Sequence, residues 1–142
     1  MQESVETRWL DKMAFEWEVN GHKIIIDAVE NVGGEDRGPR PKTFMLASLG
    51  GCTAMDVISI LKKMRISDDI EDFKVKVTGD LTEEHPKHFY KMHVQYIFVP
   101  KPGKELNMTK VEKAVSLSED RYCGVSETYR NALELTSEII VK

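Results

Sequence analysis

Pro41 to Arg65 reads PKTFMLASLGGCTAMDVISILKKMR, and the rest of the chain is read outward from it. From Thr43 to Met55 the one ionisable side chain is Cys52. Between Ala47 and Ala54 every residue but Leu49 is small. A helix that is apolar all round belongs in a core. The stretch therefore predicts a long buried central helix, opened by Pro41 and running to about Arg65. Gly50 and Gly51 inside it cost about 1 kcal/mol each relative to alanine, so another backbone is expected to come close there. Cys52 has two readings. It is a small buried hydrophobe, or it is a reactive thiol. In mid-helix, a reactive thiol needs a cation or hydrogen-bond donors from elsewhere.

On the N-terminal side, Met13, Phe15, Trp17 and Val19 alternate with Ala14, Glu16 and Glu18, the period of a half-buried strand. Asn20-Gly21 then marks a tight hairpin, with His22–Ala28 as the returning strand. Val5–Leu10 is an earlier strand. Residues 30–41, rich in Gly, Pro and charge, form a loop. On the C-terminal side, Phe73–Thr78 and His88–Val99 make a second hairpin. Thr109 and Glu112 fit a capping box that opens a helix, whose inward face is Val111, Ala114, Val115 and Ser118. That helix fades near Tyr122. Cys123–Ser126 is a turn, and Ser126 caps a short helix to about Glu134. Thr136–Val141 ends the chain as a strand. Strands in hairpins with few intervening helices imply an α+β fold with a largely antiparallel sheet, in one domain over 1–142.

Composition narrows the function classes. The chain has 142 residues and a net charge of -4, with 41% hydrophobic and 31% charged residues, which argues against disorder. Its lysines are interleaved with acids, so no nucleic-acid footprint stands out. The N-terminus MQESVETRWL lacks the pattern of a signal peptide. The apolar centre of 41–65 reads as too short to span a bilayer and carries Asp56. A cytoplasmic protein without membrane or nucleic-acid partners is expected. Two cysteines make no disulfide framework or zinc ribbon.

Cys123 falls beside the amide donors that begin a helix, a favourable place for a thiolate or an attackable sulfur; its other reading is a semi-buried core residue. Whether the two sulfurs meet is not readable from spacing. Asp56 lies one turn past Cys52 on the same helix face and reads as a hydrogen-bonded acid rather than a base. Arg37 and Arg40 bring two cations to the mouth of the central helix. His88 and His93 face opposite sides of one strand and His22 is solvated, so no metal or other cofactor is expected.

The segment ASLGGCTAMDV (Ala47–Val57) follows Gly38-Pro39-Arg40-Pro41 and precedes ILKKMRI. Together with Tyr122-Cys123-Gly124-Val125-Ser126, it resembles the OsmC/Ohr superfamily, and more closely its YhfA-like branch. The element order matches over nearly the whole length. The resemblance implies an intertwined homodimer, with two central helices packed between sheets. It also implies reduction of organic hydroperoxides. Cys52 would be the thiol that attacks the peroxide and Cys123 the resolving thiol, with a dithiol reductant reopening the disulfide. The apolar helix and aromatic strands would line a pocket for greasy substrates. Peroxidases of the superfamily carry a glutamate just after the helix-opening proline, paired with an activating arginine. Lys42 and Thr43 stand there instead, and Arg8 on the N-terminal strands is the nearest match for the arginine. The alternative on the same fold is a non-enzymatic redox-sensing or hydrophobic-ligand-binding module.

Overall fold

Asn20 and Gly21 both take left-handed backbone angles (φ 49° and 79°), as a two-residue turn between right-twisted strands requires. That turn joins β2 (Ala14–Val19) to β3 (His22–Ile26), and β1 (Glu6–Asp11) pairs with β2 on its other side. The computed structural model describes residues 1–142. It forms two compact units, 1–45 and 46–142.

The N-terminal unit holds the antiparallel sheet β1-β2-β3. The first strand sits one residue later than expected. Met13, Phe15, Trp17 and Ile26, with Pro41, line an apolar cavity of about 420 Å³. Trp17 meets Phe44 edge to face, with ring centres 4.7 Å apart. The loop after β3 is organised by Asp27, a buried acid. Its carboxylate accepts from the amides of Ala28 (2.8 Å), Glu35 (3.1 Å) and Arg37 (3.2 Å). The Arg37 guanidinium bonds Asp27 and grips Asp11 with both terminal nitrogens. Arg40 pairs with Asp36. The two cations expected at the mouth of the helix are thus committed to local carboxylates.

A 3₁₀ turn at Pro41–Thr43 leads into α1 (Phe44–Lys63). In the C-terminal unit, β4 (Ile70–Leu81) pairs antiparallel with β5 (Phe89–Pro100), and β6 (Glu134–Val141) pairs with β5 in parallel. The parallel pairing follows from the crossover through α2 (Met108–Leu117) and α3 (Gly124–Arg130). The expected α+β class with mainly antiparallel pairing holds. Met92, Val94, Tyr96 and Phe98 alternate into the core, and Phe98 stacks on Phe73 at 4.5 Å. Leu49, Thr53, Val57 and Leu61, every fourth residue of α1, are fully buried in the same core cluster or beside it.

Several local expectations change. The cap of α2 is Asn107, whose side chain accepts from the Lys110 amide at 3.1 Å, so Thr109 lies inside the helix and caps nothing. A π-helical turn, Ser118–Tyr122, extends the helical path to Cys123. Cys123, not Ser126, then caps α3, which runs to Arg130, and the Ala132 and Leu133 amides both donate to the Tyr129 carbonyl beyond it. Gly50 faces a side chain rather than a backbone. A Cβ there would stand 3.2 Å from Val77 Cγ2, while one on Gly51 meets nothing within 4 Å. Finally, with its 3₁₀ lead-in the helical run spans 23 residues, Pro41–Lys63. It is long and apolar enough to cross a membrane, contrary to the shorter estimate. Hydrogen-bonded Thr53 and the stripe around it bury one face of the run in the core, and most of the rest is not buried in the single chain. The opposite side, with Gly51 and Met55, is exposed in the single chain.

Candidate active site

Cys52 projects from the middle of α1 and Cys123 caps α3, and the two elements bring the thiols together. The sulfurs and an Asp56 carboxylate oxygen all lie within 4.8 Å of one another. Cys52 is half-buried and Cys123 buried, and neither is in a disulfide. The i, i+4 spacing puts Asp56 on the same face of α1 as Cys52. Ser118 Oγ donates to Asp56 Oδ2 at 3.1 Å, which makes Asp56 the hydrogen-bonded acid that its spacing suggested.

Backbone amides at the start of α3 point at both sulfurs. The Ser126 amide donates to Cys123 Sγ at 3.4 Å. The Val125 amide donates to Cys52, which favours its thiolate. Other forces oppose it. Burial pushes the Cys52 thiol above its ordinary value, and the neighbouring Cys123 thiol and the Asp56 charge push the same way. No cation stands among these influences.

Behind the thiols runs a buried chain of hydroxyls. Thr53 Oγ1 lies 2.7 Å from both Tyr96 Oη and Ser118 Oγ. Tyr96 donates onward to Glu119 Oε1 at 3.2 Å. Burial first, with the nearby Glu119, raises the phenol well above its usual range, so it remains a donor. Sequence reasoning placed Ser118 inward but missed Thr53 and Tyr96 as a linked set. The available signal was Thr53 itself, a hydroxyl in a stripe otherwise made of Leu49, Val57 and Leu61. Two cavities flank the thiols. One, of about 290 Å³, is lined by Asp56, Ser59, Ile60, Lys63, Leu117 and Tyr122. The other, of about 390 Å³, includes Arg121, Tyr122 and Cys123.

Arg8 belongs to the N-terminal unit. It stands on β1 opposite Glu16, in a small hollow shared with Glu6, Glu18 and Lys23. His93 is occupied in a different way, bonded to Thr136 at 2.8 Å and to Glu138 at 3.1 Å.

The profile of the family described as OsmC-like protein matches residues 33–138. The chain belongs to the OsmC superfamily. Within it this OsmC-like chain falls in the YhfA-like branch: it is 35% identical to Protein YhfA of Escherichia coli K12, over 91% of its own length and 90% of that protein's. Solved structures share its fold. One is an OsmC-like protein of unknown function from Vibrio cholerae, at TM-score 0.78 and 21% identity, with 99% and 100% of the two chains covered. Another is the organic hydroperoxide resistance protein OhrB of Bacillus subtilis, at TM-score 0.62 and 17% identity, with 98% of each covered. At those identities the likeness is one of fold.

Proposed function

We propose that this OsmC-like protein reduces organic hydroperoxides through a cycle of its two cysteines. The observation that carries the reading is the approach of the Cys52 and Cys123 sulfurs to within 4.8 Å in a cradle of helix-start amides. The Cys52 thiolate attacks the distal peroxide oxygen. The O–O bond breaks, the alcohol leaves with a proton, and Cys52 becomes a sulfenic acid. Cys123 displaces water from that sulfur to give the disulfide, and an external dithiol returns both thiols by exchange. The half-buried position of Cys52 suits an organic peroxide, and the resistance protein of similar fold supports the same chemistry.

In this reading Arg8 supplies the activating cation, and the protein works as a cytoplasmic homodimer. The exposed, small-residue side of α1 supports the second copy. Neither nucleic acid nor membrane is a partner. Reduced protein mixed with cumene hydroperoxide should consume peroxide and two thiols per chain, and Cys52→Ser should fall to the uncatalysed rate. Full activity in Cys52→Ser overturns the reading. If Arg8 acts on Cys52 as this reading requires, Arg8→Ala should slow the first step roughly tenfold, since losing an activating cation raises a thiol pKa by a unit or more.

The upward shift of the Cys52 thiol favours a second reading, a redox sensor. That protein would form the disulfide once, stoichiometrically, and show no sustained turnover with any dithiol. Steady-state peroxide consumption with dithiothreitol separates the two.

A further inference from the structure

Three donors face one point beside α3: two soft sulfurs and a carboxylate, from Cys52, Cys123 and Asp56. We propose that, when reduced, they bind a thiophilic divalent cation of the zinc class, one per chain. The donor set suits zinc, which takes thiolate and carboxylate ligands and accepts three protein groups with a fourth, open position. Ordinary bonds of about 2.3 Å to sulfur and 2.0–2.2 Å to oxygen require donor separations of roughly 3.5–3.8 Å. From within 4.8 Å, the three atoms reach that by side-chain movement of about 1 Å.

The surroundings are those of a ligand set. The Val125 and Ser126 amides already point at the two sulfurs, and Ser118 holds one carboxylate oxygen of Asp56 and fixes its orientation. Such partners orient the ligands of a metal and raise its affinity. Binding releases the two thiol protons to solvent. One cavity is lined by Asp56 and the other by Cys123, and both reach Tyr122. Metal and peroxide then compete for the same sulfurs, since the disulfide has no thiolate to offer.

Anaerobic titration of reduced full-length protein with Co²⁺ tests this directly. The expected result is a near-ultraviolet thiolate-to-cobalt band that saturates at one equivalent and is bleached by Zn²⁺. Cys52→Ser and Cys123→Ser should lose most of the band. Asp56→Asn should keep it at saturation but weaken Co²⁺ binding about tenfold or more. Absence of the band in the reduced wild type, or an undiminished band in Cys52→Ser, overturns the proposal. If the variants fail to fold, wild type oxidised with diamide serves instead. Its band should vanish, and a band that survives oxidation is equally fatal. Peroxide consumption, measured separately on chelator-treated protein, reports on the hydroperoxide cycle whether or not Co²⁺ binds.

Discussion

Cys52 is surrounded by groups that keep it protonated, and this sets how it responds to pH. Burial leads, followed by Cys123, with the Asp56 charge adding to both. Its alkylation by iodoacetamide should therefore rise with pH to a midpoint above that of an ordinary thiol. Asp56→Asn should move the midpoint down without normalising it, because burial remains. A midpoint unmoved by that substitution would show that Asp56 does not act on the thiol. Thr53 makes a second residue-level prediction. Thr53→Val removes the centre of the hydroxyl chain, and Tyr96 and Ser118 keep only their bonds to Glu119 and Asp56. Losing a buried hydrogen-bond partner costs about 1–3 kcal/mol, readable as a lower urea midpoint at unchanged slope. Cys52 and Cys123 were legible in the sequence because each sits in its own motif. Their meeting came only with the family resemblance and not from spacing, since the path between them includes a π-helical turn that no periodicity announces. The caps were misread for a related reason. Thr109 and Ser126 have good capping chemistry, but Asn107 and Cys123 occupy the turn geometry that capping needs.

At the scale of elements, α1 shows what composition can and cannot say. Its apolar run correctly predicted one long helix, and its bounds were legible from Pro41 and the Lys62-Lys63 end. Composition could not say which side is covered, because a run that is apolar all round has no distinguishing face. The fourfold stripe from Leu49 to Leu61 is buried, while Gly51 faces open space. Gly51→Ala is thus free of clashes within the chain. It should stabilise the isolated chain by roughly 1 kcal/mol through helix propensity alone. If a second copy packs on that side, the same methyl group should instead weaken association. Analytical ultracentrifugation across a dilution series, run beside chemical denaturation, reads both effects. The hairpins were easier to read, since alternation and an Asn-Gly turn are local signals. The parallel register of β6 was not, because it depends on the path of the whole crossover.

For the molecule as a whole, two carboxyls of the N-terminal unit, Asp27 and Asp11, make that unit sensitive to acid. Burial alone would raise Asp27, but the amides of Arg37, Glu35 and Ala28 and the Arg37 guanidinium outweigh it and hold the carboxyl below its usual range. Asp11 is lowered too, chiefly by its hydrogen bonds from Arg37. Groups with depressed folded values stabilise above the unfolded carboxylate value of about 3.9 and lose that contribution as pH falls through the folded value. The unit should thus be stable at neutral pH and begin to open below about pH 4. Asp27→Asn should unfold more readily at pH 7 and flatten the acid transition. The division into 1–45 and 46–142 also sorts the chromophores. Trp9 and Trp17, the two indoles of the chain, fall in the first unit. All four tyrosines and both thiols fall in the second. Indole emission excited at the red edge therefore follows the acid-labile unit alone, while tyrosine absorbance and thiol titration follow the unit with the cysteines. One sample, observed at two wavelengths, can report whether the halves melt together or in sequence.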